Sequence, residues 1–131
     1  MPQIVPIYAG LLGLVFITLS VRVIRARRQE RVALGDGGNP LLRRAMRVHA
    51  NFAEYVPLAL ILIAFAELQG QPVVLVHTLG LALLVGRLIH AFGVSQENET
   101  YRYRTAGMWL TFIAIAAASV MNLGWVAARW V

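Results

Sequence analysis

Residues 105–128, TAGMWLTFIAIAAASVMNLGWVAA, carry no charged side chain between Arg104 and Arg129. A helix needs about 20 residues to cross the ~30 Å hydrocarbon core of a bilayer, and this stretch is long enough to do so. The stretch therefore predicts a membrane-spanning helix.

Three other stretches have the same character. They are residues 2–21, 55–66 and 68–86, and the second extends back to about Val48 if polar groups are tolerated in its first turns. The sequence predicts an all-α integral membrane protein, a four-transmembrane-helix bundle that forms one domain over residues 1–131. The helices are expected at about residues 4–26, 42–68, 72–95 and 102–128, with loops at about 27–41 and 96–101. The first helix is not expected to be a cleaved signal peptide, because it lacks a basic n-region and is too long.

The composition supports a membrane protein and excludes several other classes. The chain is 59% hydrophobic and 14% charged, whereas a soluble domain is about half apolar and about a quarter charged. A soluble domain of this length could not bury so much apolar surface, and a disordered chain would be more polar. Because there is no cysteine, disulfides, thiolate metal sites and cysteine nucleophiles are excluded.

The net charge of +6 is carried by twelve arginines and no lysine. Most of these arginines lie in or beside the loops that follow the first and third helices. By the positive-inside rule we expect both loops in the cytoplasm and both termini on the other side. The arginines can also contact anionic membrane lipids. No nucleic-acid recognition element accompanies them, so nucleic acid is not an expected partner.

The start of the second helix, RRAMRVHANFAE at residues 43–54, carries the most informative polar pattern. Arg44, Arg47, Asn51 and Glu54 are spaced so that they form one stripe along a helix. Amides and carboxylates below the membrane interface usually face a bundle interior or a wet cavity. Two compatible interpretations remain open. Glu54 neutralises an arginine as a structural ion pair, or the stripe lines a polar ligand pocket that opens to the cytoplasm.

Polar residues of the third and fourth helices are expected near the same membrane face. His90 follows Arg87 by one turn, and its simplest role is that of a core histidine bonded to a backbone carbonyl or to Glu54. No metal site is expected, because the histidines lack a ligand spacing such as HExxH. Arg104 lies at a helix N-terminus, where a guanidinium opposes the macrodipole and favours a bound anion. Thr105 offers a hydroxyl beside it, whereas the preceding residues of this helix end are ordinary interface anchors.

At these residues the chain resembles the MAPEG family, the membrane-associated proteins in eicosanoid and glutathione metabolism, and above all its bacterial members. The family has R-x-x-R-x-H-x-N-x-x-E on helix 2, G-R-x-x-H on helix 3, and an arginine followed by a hydroxyl residue on helix 4. The matching residues are Arg44, Arg47, His49, Asn51 and Glu54, then Gly86, Arg87 and His90, then Arg104 and Thr105.

The resemblance implies a homotrimer in a bacterial inner membrane, with glutathione bound between subunits near the cytoplasmic face. The glutathione-binding residues that it implies are Arg27, Arg47, Asn51, Glu54, His90 and Arg104, and Arg28 matches almost as well as Arg27. Arg104 would stabilise the thiolate, and Thr105 would donate a hydrogen bond to it. The implied reaction is a glutathione transferase or peroxidase reaction on a lipophilic electrophile or hydroperoxide that arrives from the bilayer.

Three departures from the family pattern keep other functions open. Ala50, Val94 and Met108 stand where some eicosanoid-forming members have an arginine and two tyrosines. They argue against a specialised eicosanoid synthase and weaken the inference that glutathione is held strongly. A non-catalytic membrane scaffold, or a lipid- or ligand-binding trimer, is the main alternative. A small multidrug exporter is less favoured, because those proteins rely on a carboxylate in helix 1, which here is uncharged before Arg22.

Overall fold

The computed structural model describes residues 1–98 and 100–130, and Glu99, within the expected second loop, and Val131 lie outside the described residues. Four helices are present, and the described part of the chain contains no strand. The helices are α1 (Val5–Glu30), α2 (Pro40–Leu68), α3 (Val73–Ser95) and α4 (Tyr101–Trp130). Each is long and apolar enough to cross a membrane. The predicted fold class, an all-helical four-helix membrane bundle, is confirmed.

The first loop is shorter than the sequence suggested, because α1 continues through its arginines to Glu30. Arginine is a good helix former, and a cation near a helix C-terminus interacts favourably with the macrodipole. The helix ends where Arg31 adopts a left-handed conformation (φ 55°) and the Val32 N–H donates to the Arg27 carbonyl at 3.0 Å. Most of the arginine cluster of this segment is therefore helical.

Side chains at the helix starts account for the other boundaries. The Asn39 Oδ1 accepts hydrogen bonds from the N–H groups of Leu41 (2.9 Å) and Leu42 (3.0 Å), which caps α2. Such a cap satisfies donors that have no partner within the helix. Pro72 precedes the first residue of α3, where a missing N–H costs nothing. Pro57 lies within α2, which continues through it.

The closest helix pair is α3 and α4, and glycines make that approach possible. A Cβ atom added to Gly107 would lie 2.6 Å from the Gly86 carbonyl oxygen and 2.6 Å from the His90 nitrogen. A Cβ atom added to Gly93 would lie 2.9 Å from the Arg104 nitrogen. These contacts leave no room for a side chain, so the backbones of the two helices touch beside His90 and Arg104.

The bundle has two polar ends. We call the end where α1 and α3 finish the basic end, because eleven of the twelve arginines belong to it, all except Arg129. At the opposite end, the Glu67 carboxylate of α2 accepts from the N–H groups of Ile4 (2.7 Å) and Val5 (2.8 Å). The Tyr8 hydroxyl meets His77 Nδ1 at 3.0 Å in the same region. The opposite end is therefore held together by contacts within the chain.

Candidate functional site: an arginine-lined cavity at the basic end

A cavity of about 170 Å³ opens at the basic end between α2, α3 and α4. Its walls are formed by Arg43, Arg44, Arg47, Asn51, His90, Val94 and Arg104. The structure thus brings together four of the residues that sequence analysis assigned to glutathione: Arg47, Asn51, His90 and Arg104. Among the residues that the structure describes, no acidic side chain lines the cavity, so the described walls favour an anionic or acceptor-rich ligand.

Two arginines of the cavity wall are fixed by neighbours. Arg44 donates from Nη1 to the Val94 carbonyl at 3.3 Å and from Nη2 to the Glu97 carbonyl at 3.5 Å. These are among the last carbonyls of α3 and the segment beyond it, which lack partners within the helix. Arg43 pairs with the Asp36 carboxylate at 2.5 Å. The sequence stripe included Arg44 but not Arg43, whose position depends on the preceding loop.

The Asp36 carboxylate is held in the loop by local contacts. Its Oδ1 accepts from the Gly38 N–H at 3.0 Å, and its Oδ2 accepts from Arg43. The hydrogen bond from Gly38, and then that from Arg43, lower the pKa of Asp36 below its ordinary value. This interaction anchors Arg43 beside the cavity mouth.

The remaining cavity residues differ in depth. Arg47 and Arg104 are exposed, whereas His90 is 5% exposed. Asn51 is half-buried, and its Oδ1 accepts from Arg87 Nη1 at 2.7 Å. The mouth of the cavity is therefore lined by exposed cationic side chains, and its inner end is formed by more deeply buried polar groups.

Arg87 was noticed in the sequence but not assigned to the site, although it contacts the inner end of the cavity. It is 1% exposed and lies inside the bundle. Its Nη2 lies 3.4 Å from the Gly107 carbonyl and 3.3 Å from the Met108 sulfur. Its guanidinium carbon lies 5.9 Å from the centre of the Tyr55 ring. The spacing of Arg87 and His90 signalled a shared helix face, but it could not reveal that Asn51 would face Arg87.

The predicted helix 1 residues lie away from this cavity. Arg27 donates to the Gly35 carbonyl at 2.8 Å and approaches the Met46 sulfur at 3.4 Å, so it supports the loop after α1. Arg27 and Arg28 line a separate surface depression with other residues of that loop. Within one protomer, neither joins the cavity that Arg47 and Asn51 form.

Glu54 and Thr105 also lie outside the cavity wall. Both side chains are exposed on the surface of the protomer. Glu54 forms no ion pair in the described chain, so the predicted neutralisation of an arginine by Glu54 is not made within one protomer. Thr105 follows Arg104 by one residue, which rotates its side chain about 100° around the helix.

Histidine positions give no metal site in the described chain. No group of three or more histidine or acidic residues comes together there. His49 faces α1, where its Nε2 meets the Ser20 hydroxyl at 3.0 Å and its ring stacks on Phe16. His49 is thus separated from His90, in agreement with its position off the polar stripe.

A family model for MAPEG matches residues 5–124, which covers all three polar segments that form the cavity. The chain belongs to the MAPEG family. It is 40% identical over 117 residues to the inner membrane protein YecN of Escherichia coli strain K12, with 89% of this chain and 88% of that protein covered. YecN of E. coli O6:H1 is similar to the same extent.

Membership of the MAPEG family gives the arginine-lined cavity its context. The helix 2, helix 3 and helix 4 patterns are distant in sequence, yet Arg47, His90 and Arg104 lie around one opening. The three segments therefore line one polar cavity on a four-helix membrane scaffold.

Proposed function

We propose that this MAPEG protein is a glutathione-dependent enzyme of the bacterial inner membrane, of the transferase or peroxidase type. The observation that carries the proposal is the cavity in which Arg47, Asn51, His90 and Arg104 meet. Its location at the basic end agrees with a cytoplasmic opening under the positive-inside rule. A water-soluble thiol could then meet a lipophilic partner at the membrane edge.

The side chains of the cavity suit the chemistry of glutathione. The tripeptide carries two carboxylates, and a guanidinium binds a carboxylate through two parallel hydrogen bonds. Arg47 and Arg104 line the cavity and are exposed, so such groups can reach their guanidiniums. Nearby cations also lower the pKa of a thiol and so increase the fraction of thiolate, which is the nucleophile.

The exposed position of Glu54 supports a homotrimeric site. A carboxylate on a membrane-spanning helix is costly unless it is paired or faces a polar cavity. Glu54 is exposed on the surface of the protomer. This cost is therefore avoided only if a polar group covers the Glu54 carboxylate. In the proposed assembly, a neighbouring copy and the ammonium group of glutathione supply that cover. An arginine of the neighbouring α1, Arg27 or Arg28, would complete the site.

In the proposed transferase reaction, the glutathione thiol gives its proton to water, and the thiolate attacks a lipophilic electrophile. A sulfur–carbon bond forms, and the displaced group leaves with the electron pair of its bond. In the proposed peroxidase reaction, two glutathione molecules are oxidised to the disulfide while the hydroperoxide is reduced to an alcohol and water. Arg104 lies at the cavity and remains the candidate for stabilising the thiolate. Thr105 lies outside the cavity wall of its own protomer, so it could donate a hydrogen bond to the thiolate only from the protomer surface.

Calorimetric titration of glutathione into the detergent-solubilised protein tests the proposal. We expect saturable binding to the wild type, and Arg104→Ala and Glu54→Gln to weaken it by about tenfold or more, equivalent to about 1.4 kcal/mol. Arg129→Gln is the matched control, because it removes an arginine at the opposite end and should bind like the wild type. No binding to the folded wild type at millimolar glutathione would contradict the proposal.

One observation favours a second candidate, a non-catalytic ligand- or lipid-binding trimer. Thr105 does not line the cavity, and the position of Met108 brings a thioether, not a hydroxyl, to the inner end. Few side chains in the cavity of one protomer could therefore donate a hydrogen bond to the reacting sulfur. Saturable glutathione binding without turnover of any hydrophobic electrophile or hydroperoxide would favour this function over the enzyme.

A further inference from the structure

A groove separate from the arginine-lined cavity runs along the half of α1 that leads to the basic end. Its volume is about 620 Å³, and we call it the α1 groove. One wall is formed by α1 residues between Ile17 and Gln29, and the other by Leu41 and Ala45 at the start of α2. It shares no lining residue with the cavity between α2, α3 and α4. The proposed function therefore makes no use of the α1 groove.

The α1 groove changes from apolar to cationic along its length. Ile17 and Val21 line the part nearer the middle of α1, whereas Arg22 and Arg25 line the part nearer the basic end. Gln29 lies at its outer limit. These five side chains are exposed, and none of the described lining residues is acidic. The groove therefore presents apolar surface at one end and guanidinium groups at the other.

The position of Arg22 along α1 relates this change to the membrane. It is the first charged residue of the chain. At about 1.5 Å per residue, the helix rises by about 26 Å from Val5 to Arg22, which is close to the ~30 Å thickness of the hydrocarbon core. Ile17 and Val21 thus lie at the level of the acyl chains. Arg25, about 4.5 Å beyond Arg22, lies at the level of the lipid headgroups.

The two arginines are arranged so that they can share one anion. Arg22 donates from Nη1 to the Ser95 Oγ at 2.5 Å, which ties its side chain to the end of α3. A guanidinium carries five N–H donors, so this contact leaves donors for a ligand. Arg25 follows by three residues, close to one turn, and therefore lies on the same side of α1. Guanidinium groups bind phosphate oxygens through pairs of parallel hydrogen bonds.

The α1 groove also lies on a different side of α1 from Arg27. Successive helical residues are about 100° apart, so Arg22 and Arg25 are about 140° and 160° from Arg27 around the helix. The surface depression that Arg27 lines shares no residue with the α1 groove. In the proposed assembly, a neighbouring copy that uses Arg27 therefore leaves this groove open to the bilayer.

The chemistry of the groove selects among the molecules that a membrane offers. A ligand that fits both parts has an apolar chain joined to an anionic group at the headgroup level. Free phosphate lacks the apolar part. A zwitterionic phospholipid carries a second, cationic group that the arginines would repel, whereas an anionic phospholipid carries the phosphodiester and an uncharged alcohol.

We propose that the α1 groove binds one anionic phospholipid from the leaflet at the basic end. Arg22 and Arg25 bind the phosphodiester, Gln29 contacts the headgroup alcohol, and an acyl chain lies along Ile17 and Val21. An arginine-rich surface attracts anionic lipids in general, but this groove holds a single molecule at a defined position. The proposal does not depend on glutathione binding.

Native mass spectrometry of the detergent-solubilised protein, equilibrated with equal amounts of phosphatidylglycerol and phosphatidylcholine, tests the proposal. We expect each protomer to retain one phosphatidylglycerol in preference to phosphatidylcholine by about tenfold or more, since each basic residue at an anionic membrane surface contributes about fivefold in affinity. The double variant Arg22→Gln/Arg25→Gln should lose most of this preference. Arg28→Gln/Arg31→Gln is the matched control, because it removes the same charge from the separate depression on α1 and should bind like the wild type.

A second variant tests the apolar part of the site and keeps the test decisive if the double arginine variant does not fold. Ala26 is half-buried and lines the groove. Ala26→Leu narrows the groove while both arginines remain. We expect it to lower phosphatidylglycerol occupancy by about threefold or more, because an added side chain in an occupied groove must displace the ligand. Ala33→Leu, which adds the same volume in the separate depression, is its control.

Several results would overturn the proposal. One is equal retention of the two lipids by the wild type. Another is an equal loss of preference in the two double arginine variants, which would indicate a general effect of surface charge. Wild-type occupancy in Ala26→Leu would mean that no acyl chain lies in the groove. Displacement of the bound lipid by soluble glycerol phosphate would identify a free phosphate ligand instead.

Discussion

The two polar ends of the bundle differ in how their polar groups are satisfied. At the opposite end, Glu67 accepts backbone N–H groups of α1, and the Trp125 indole N–H donates to the Gln69 carbonyl at 3.0 Å. Asn122 likewise donates to the Leu62 carbonyl at 2.9 Å. Around the cavity of the basic end, Arg47 and Arg104 are exposed, and none of the described acidic residues pairs with the buried Arg87.

This difference indicates which end is structural and which end is available to a ligand. Glu67 is held by backbone N–H groups of α1, which stabilises one arrangement of the helices. Arginines grouped around an opening instead give a site with a net preference for anions.

Among substitutions that test the difference between the two ends, Gly107→Ala is expected to have the largest effect on the basic end. The added Cβ would lie 2.6 Å from the Gly86 carbonyl oxygen, which separates α3 from α4 beside the cavity. We expect a loss of about 1 to 3 kcal/mol in the free energy of unfolding, together with loss of glutathione binding. Gly124→Ala is the matched control on α4, because nothing lies within 4 Å of the added atom. Equal stability of the two variants in thermal unfolding would contradict the tight packing.

A smaller effect, confined to stability, is expected from Glu67→Gln. The N–H groups of Gln3, Ile4 and Val5 would lose a charged acceptor, at a cost of about 1 to 3 kcal/mol. Hydrogen exchange at these amides should accelerate, while glutathione affinity stays unchanged. Glu30→Gln, an exposed acid at the basic end of α1, serves as the control for charge removal. A matching loss of glutathione affinity in Glu67→Gln would mean that the two ends are coupled.

The smallest effect is expected at Asp36. Because its pKa is lowered, its stabilising contact is present above the ordinary pKa of 3.8 and is lost as the pH falls through the lowered value. NMR titration of this carboxyl should locate the transition below pH 3.8. Asp36→Asn should release Arg43 and raise glutathione affinity by no more than about twofold, since exposed ion pairs are weak. A fall in affinity would instead indicate that Asp36 holds Arg43 in its binding position.

The sequence predicts the fold well, because the charge pattern of a membrane protein reports its helices directly. Uncharged stretches of sufficient length mark the spans, and the arginine blocks between them mark the ends. The end of α1 differed from expectation, since hydropathy marks the membrane boundary, whereas the arginines continue the helix into water. The cap that Asn39 forms on α2 uses hydrogen bonds that are local in sequence.

The site was predictable only in part. Helical spacing placed Arg47 and Asn51 on one face, and family resemblance added His90 and Arg104, all of which line the cavity. Helical spacing could not predict that Arg87 donates a hydrogen bond to the Asn51 oxygen, because the two residues lie on different helices and are 36 positions apart in sequence. The loop contacts of Arg27 depend on the path of the chain after Arg31, which a helical pattern does not encode.

The Glu67 carboxylate has a consequence for how the protein is made. The first turn of α1 finds its acceptor 62 residues later in the chain, at the end of α2. These contacts can therefore form only after residue 67 has been translated. A ribosome stalled before that residue would leave the first turn of α1 without this acceptor.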